Sequence, residues 1–145
     1  MYNWKLSVFN KLDSTNNEAL RRLSSSDESG EVILAYRQTM GKGRAGREWV
    51  SCYGNLMMTA TIAIEERQRM SDLAFVGAVA VTEAVNELLP QESRAEIKWP
   101  NDLMVGNRKL GGLLIEVSSR PSIAALGIGL NLKNAPKSDN FQAVC

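Results

Sequence analysis

The chain contains no histidine at all. That absence removes Ser-His and Cys-His nucleophile systems, imidazole general bases and zinc sites built on histidine. Cysteine is scarce too: Cys52 and Cys145 make neither a disulfide framework nor a metal-ligand pattern, a usage that suits a reducing cytoplasm. The opening MYNWKLSVFN lacks the apolar core of a signal peptide, and no later run approaches membrane-spanning length. Charge of one sign is also missing. Lysine and arginine number 17 against 16 aspartates and glutamates, a net charge of +1 that argues against wholesale nucleic-acid binding. No internal repeat or low-complexity tract is present. Chemistry in such a chain must run on carboxylates, lysines, arginines, backbone dipoles or a recruited metal, which favours charge stabilisation over proton shuttling.

What remains is one domain of 145 residues with 44% apolar content, ample for a core. Its positive charge is local. Between Met40 and Trp49, the cations Lys42, Arg44 and Arg47 alternate with Gly41, Gly43 and Gly46. Glycine backbone N–H groups and guanidinium forks suit phosphate oxygens, so the stretch reads as an anion clamp; a flexible basic linker or a nucleic-acid contact remains open on composition alone. Fixing ten loop residues costs on the order of 10–20 kcal/mol of backbone entropy. Opposite charges 4 Å apart attract by roughly 4 kcal/mol at an effective dielectric near 20. The loop is therefore expected to be mobile when empty and to order around a polyanion.

Along the chain, Trp4 to Phe9 alternates as a first strand. Asp13-Ser14-Thr15-Asn16 opens a helix, with Thr15 and Glu18 at capping-box spacing and Ala19, Leu20 and Leu23 as its buried stripe, ending over Ser24 to Gly30. Val32 to Tyr36 reads as a strand covered on both faces, with Gln38 at its end, and Asn55 to Ile64 alternates cleanly. Ser71-Asp72 is expected to cap the longest helix and Pro90 to stop it. Its stripe, Leu73, Val76, Gly77, Ala80, Val81, Ala84, Val85 and Leu88, should lie on a sheet and contribute roughly 10 kcal/mol of transfer free energy. Ala95 to Trp99 is a short strand running into a Pro100-Asn101-Asp102 turn. Lys109-Leu110-Gly111-Gly112 leads into Leu113 to Val117, with Leu113, Ile115 and Val117 on one face. In Ser122 to Leu132, Ala124, Leu126, Ile128, Leu130 and Leu132 form one apolar face. The other face (Ile123, Ala125, Gly127, Gly129, Asn131) is nearly bare, leaving room for a ligand or for a closely packed side chain.

In order, Ser14-Thr15-Asn16, Gln38 with the basic glycine loop, Lys98-Trp99-Pro100-Asn101-Asp102, Lys109-Leu-Gly-Gly and Gly127-Ile-Gly-Leu-Asn131 form a series that resembles the catalytic domain of biotin protein ligases. The resemblance implies an α+β fold: a mixed β-sheet with helices packed on one side, like class II aminoacyl-tRNA synthetases. It implies ATP-dependent formation of biotinyl-5′-AMP from biotin, with Mg²⁺, and then transfer of biotin to a lysine of a carboxylase's biotin carboxyl carrier domain. Carried over by motif, Ser14, Thr15, Asn16 and Gln38 hold the biotin ring, and Gly111, Gly112, Gly127 and Gly129 floor its slot. Lys42, Gly43 and Arg44 close over biotin and phosphate, and Lys109 reaches the biotin carboxylate and the adenylate. Trp49, Asn101 and Asn131 frame the adenine, with Arg47 and Lys98 near the phosphates.

The chemistry agrees. A carboxylic acid of this kind is ionised at neutral pH, so its attack on the α-phosphate needs alignment and charge neutralisation rather than a base. The acceptor lysine, with an ordinary pKa near 10.4, must lose a proton, and Asp102 is the acid in a motif position expected to orient or deprotonate it. Lys42 stands where the family more often has arginine. Residues 1–145 are expected to be one catalytic domain, apparently truncated at the C-terminus, without an N-terminal helix-turn-helix or a C-terminal β-barrel domain. No nucleic-acid or membrane partner is expected; an exposed sheet edge would permit a homodimer. The alternatives are a lipoate or octanoate protein ligase or transferase of the same fold, or a non-catalytic biotin- or nucleotide-binding fragment.

Overall fold

Among the described residues the chain forms seven strands, β1 (Lys5–Phe9), β2 (Glu31–Ala35), β3 (Leu56–Ala63), β4 (Ala95–Lys98), β5 (Asp102–Val105), β6 (Arg108–Val117) and β7 (Ile123–Leu130), with helices α1 (Thr15–Ser25) and α2 (Met70–Asn86) between them. The computed structural model describes residues 3–26, 28–64, 70–118, 122–136 and 144. Asp27, Cys145 and the side chain of Ser71 lie outside the described residues. The strands form one sheet in the order β1-β2-β3-β7-β6-β5-β4. β1 and β2 run parallel, with α1 as the crossover such a pair requires, and every other pairing is antiparallel.

Register assigns each side chain to a face. Ile33, Thr59, Gly127 and Leu114 stand opposite one another on the first face, and Leu34, Met58, Ile128 and Leu113 on the second. α1 covers the first face, where Ala19 packs with Ile33 and Ala125. α2 covers the second, with Ala78 among Leu103, Leu113, Leu126 and Leu130. Here the structure corrects the expectation of helices on one side: neighbouring residues of β7, Ala125 and Leu126, serve opposite helices. Gly77 lets α2 approach closely, since a Cβ there would sit 3.1 Å from a Leu126 methyl.

Several local expectations shift. Ser14 is the N-cap of α1, its hydroxyl accepting from Asn17 N at 3.5 Å, so Thr15 is the first helical residue rather than half of a capping box. Glu18 turns instead to Arg21 and Arg22, and Arg22 also reaches Glu31 on β2. α2 begins at Met70, which puts Ser71 and Asp72 within its first turn, and it ends four residues before Pro90. Asn86 ties that end to β4 by bonding both backbone groups of Ala95. Gly77, Ala78, Val81 and Thr82 turn inward, whereas Val76, Ala80, Ala84 and Leu88 of the expected stripe are largely exposed or fully so. The helix is apolar around most of its girth, so periodicity alone admitted two buried faces. The Pro100-Asn101-Asp102 turn is followed at once by a strand the sequence did not announce, β5, which Asp102 starts. β2 is covered on one face only. Its second-face residues Val32 and Leu34 are half-buried, and Leu6 and Val8 beside them on β1 are 63% and 49% exposed.

Candidate active site

The bare face of β7 is the first face, and it builds a cleft of about 440 Å³ between the start of α1, the basic loop, and the β5–β6–β7 part of the sheet. Gly127 and Gly129 are occupied from above by protein. A Cβ at Gly127 would lie 3.0 Å from Asn16 Cγ, and one at Gly129 would lie 2.5 Å from Trp49 Cε2. Close packing by side chains therefore explains both glycines, and the two covering groups become walls of the cleft. Gly112, opposite Gly129, has Asp102 Oδ1 and Lys109 Nζ each 3.4 Å from where a Cβ would sit. Gly111 does not join them. It lies on the second face, opposite Leu130, where it permits packing, and it is the one expected site residue outside the cleft lining.

Hydrogen bonds set the inner wall. Gln38 Oε1 accepts from the Thr15 N–H at 2.7 Å and from the Thr15 hydroxyl at 3.1 Å, holding the end of β2 against the helix start. The Thr59 hydroxyl donates to Asn16 Oδ1 at 2.6 Å and lies 2.8 Å from Thr15 Oγ1. Asn16 Nδ2 donates to Leu114 O at 3.3 Å and to Glu116 Oε2 at 2.9 Å. Both amide hydrogens of Asn16 are thus committed to protein, so its carboxamide has no donor left for a ligand and acts by shaping the wall. Ser14, Thr15 and Asn16 are buried.

Cations line the opposite side. Lys109 Nζ sits 2.7 Å from Asp102 Oδ1 and 5.9 Å from the centre of the Trp49 ring. Arg44 Nη1 donates to Asn101 Oδ1 at 2.9 Å, and Lys42 Nζ lies 3.3 Å from Glu116 Oε1. Arg47 folds its Nε onto Arg44 O at 3.3 Å, and Lys98 also borders the cleft. Asn131, 1% exposed, donates to Lys109 O at 3.3 Å and accepts from Asn55.

The loop has more internal structure than its composition suggests. Gly43 N donates to Arg47 O at 2.7 Å, Trp49 N to Gly41 O at 2.9 Å and Arg47 N to Arg44 O at 3.2 Å, closing a small hairpin. Its tip takes two left-handed residues, Ala45 (φ 55) and Gly46 (φ 73); the second is where glycine is needed. Among the described residues Ala45 is the only non-glycine at positive φ.

A family model for the biotin/lipoate A/B protein ligases matches residues 8–133, from β1 past the end of β7. The chain belongs to that family. Among similar proteins is a biotin–[acetyl-CoA-carboxylase] ligase of Paracoccus denitrificans, 38% identical over 130 residues, covering 87% of this chain and 54% of the relative. A Leishmania major biotin protein ligase in complex with biotinyl-5-AMP superposes with a TM-score of 0.84 at 26% identity, over 97% of this chain and 62% of that one. The Aquifex aeolicus ligase in complex with biotin and ATP gives 0.79 at 29% identity, over 97% and 58%. The chain thus spans little more than half the length of these family members. The likeness to these solved ligases also bears out the mixed-sheet fold expected from the motifs.

Three polar residues of the site escaped the motif reading. Thr59 and Glu116 complete the inner wall. Asn55 Oδ1 accepts from the N–H groups of Leu132, Lys133 and Asn134 at 3.0–3.1 Å, shaping the segment that follows β7. Glu116 had a signal: it is a lone charge in the apolar run Leu113 to Val117, on the alternation that shares a face with Gly112 and Leu114.

Proposed function

We propose that this chain carries the catalytic centre of an ATP-dependent biotin protein ligase. It joins biotin and ATP into biotinyl-5′-AMP, then passes biotin to a lysine on the biotin carboxyl carrier domain of a carboxylase. The observation that carries this reading is the convergence of Lys109, Arg44, Arg47 and Lys98 on one cleft over β6 and β7, at whose other end stand the buried, uncharged and hydrogen-bonded Ser14, Thr15 and Asn16. One end suits the charged junction of a carboxylate and a triphosphate. The other suits an uncharged, polar ring. The ligands named for the Leishmania and Aquifex proteins support the same assignment.

In the first half-reaction a carboxylate oxygen of biotin attacks the α-phosphorus and pyrophosphate leaves. Lys109 and Arg44 offset the repulsion between the two anions, and the loop excludes water from them. Trp49, Asn101 and Asn131 border the adenine, and Gly43 with Lys42 closes over the junction. Among the described residues no group of three or more acidic, histidine or cysteine side chains could hold a metal. Mg²⁺ accordingly fits as a passenger on the nucleotide phosphates, where it would neutralise charge. In the second half-reaction the acceptor amine attacks the acyl carbon and AMP departs with the bonding electron pair. Asp102 is paired with Lys109 before substrate arrives. Once Lys109 turns to the adenylate, Asp102 can orient the incoming ammonium and receive its proton.

The exposed apolar face beside β1 supports homodimerisation. No described helix is long and apolar enough to cross a membrane, and the cysteine usage supports a cytoplasmic setting. Calorimetry with biotin, then with ATP and Mg²⁺, followed by mass spectrometry for biotinyl-5′-AMP, tests the reading. Adenylate formed with biotin and not with lipoate supports it. Lipoyl-adenylate alone would assign the chain to the lipoate branch, and biotin binding without adenylate would leave a binding fragment.

A further inference from the structure

Glu116 sits at the cleft's edge with no part in the reaction above. Both of its oxygens are nevertheless used, and by different elements. Oε2 accepts from Asn16 Nδ2 at the start of α1 (2.9 Å), and Oε1 faces Lys42 Nζ in the basic loop (3.3 Å). We propose that Glu116 is a positioning residue, a latch whose charge holds the basic loop down on the cleft while its second oxygen sets the wall beneath. The chemistry of the loop's cargo rests on the ligase reading; the latch itself rests on geometry.

The two contacts ask for different things. Asn16 is 3% exposed and its carboxamide lies over Gly127, so it needs an acceptor oxygen and no particular charge. Without one, a buried N–H is left unsatisfied and the wall is free to rotate. Lys42 needs a negative charge. Its side chain is 40% exposed and that of Glu116 27%, which makes the pair sensitive to salt. Arg44–Asn101 also tethers the tip of the loop, and Met40 N–Asp13 O and the Lys109–Trp49 contact hold its two ends. A polyanion entering the cleft competes for Lys42, so the latch keeps the loop near its closed position until a ligand takes over that lysine.

Glu116→Gln separates the arms, because glutamine still accepts from Asn16 but presents no charge to Lys42. Limited trypsin digestion of the ligand-free chain, with cleavage after Arg44 and Arg47 mapped by mass spectrometry, reads the loop directly. The expected result is cleavage about two- to fivefold faster in Glu116→Gln, the range for an ion pair of this exposure. Raising salt should bring the wild type up to the same rate and leave the variant unchanged. The exchange Lys42→Glu with Glu116→Lys should restore protection. Lys42→Gln breaks the same pair without touching the sheet and should match Glu116→Gln, the double variant adding nothing further. Unchanged cleavage in both single variants, or no salt response in the wild type, would overturn the latch. For the second arm, Glu116→Ala should raise the biotin dissociation constant further than Glu116→Gln does; equal values would overturn it. If biotin binds none of the proteins, the ligase reading fails while the trypsin result still decides the latch.

Discussion

At the scale of single residues, Lys109 is the cleft cation most firmly fixed by its neighbours. Lys109 is held between Asp102 and the face of Trp49, with its backbone carbonyl pinned by Asn131, so its ammonium is aimed before substrate arrives. Lys109→Ala should cut pyrophosphate release by about a hundredfold or more, the usual cost of losing a charge aimed at the reacting anion, with unchanged circular dichroism. A normal rate would remove Lys109 from the mechanism. Asp102→Asn should slow transfer from preformed biotinyl-5′-AMP to an acceptor lysine; transfer at the wild-type rate would leave Asp102 with Lys109 alone. Gly127→Ala should destabilise the fold by about 1–3 kcal/mol in urea titrations, because the new methyl meets the Asn16 carboxamide. An unchanged midpoint would mean that this wall yields easily.

At the scale of elements, α1 shows what sequence could and could not convey. Its apolar stripe was legible, and Ala19 and Leu23 are buried as expected. Its charged edge was only partly so: Glu18 pairs with Arg21 and Arg22 at helical spacing, but Arg21 also reaches back to Asp13 ahead of the N-cap and Arg22 across to Glu31 on β2. The Arg21 guanidinium holds the Asp13 carboxyl well below the usual carboxylate range, with Asn17 helping. For Glu18, burial pushes upward and the hydrogen bonds from Arg22 and Arg21 outweigh it, leaving a lowered value. The sign follows: a carboxylate with a depressed folded value contributes stability at neutral pH, and that contribution declines as pH falls below the ordinary value of 3.8. Asp13→Asn should therefore lower the urea midpoint at pH 7, with a gap that narrows on acidification through pH 4 and 3. A gap that widens with acid would contradict the pairing. The basic loop was legible as cationic and glycine-rich, but its hairpin depends on backbone hydrogen bonds that composition does not reveal. Strand β5 hid behind Pro100-Asn101-Asp102, whose residue types signal a turn and say little about where it stops.

At the scale of the whole molecule, the division of the sheet into two faces organises everything else. One face carries α1 and the cleft; the other carries α2 over β4, β5 and β6 and is uncovered toward β1. The ordered motifs located most of the cleft, since all the expected residues except Gly111 line it. They could not show which helix takes which face. That depends on β-register, and α2 offers apolar residues on more than one side. Leu6, Val8 and the outward residues Phe75 and Val76 of α2 leave apolar area in solvent. Concentration-dependent self-association is the expected consequence in sedimentation runs, with Leu6→Glu shifting the chain toward monomer and leaving its circular dichroism intact. A concentration-independent monomer would count against dimerisation.

The proposed function rests on a spatial arrangement: biotin and nucleotide end to end in the cleft over β6 and β7, beneath the cationic hairpin. A crystal structure of the chain with biotin and a non-hydrolysable ATP analogue measures that directly. The account predicts ring density beside Gln38 and Thr15, phosphate density within reach of Arg44 and Lys109, and the hairpin closed above both. Ligand density elsewhere on the molecule, away from Lys109 and the loop, would contradict it.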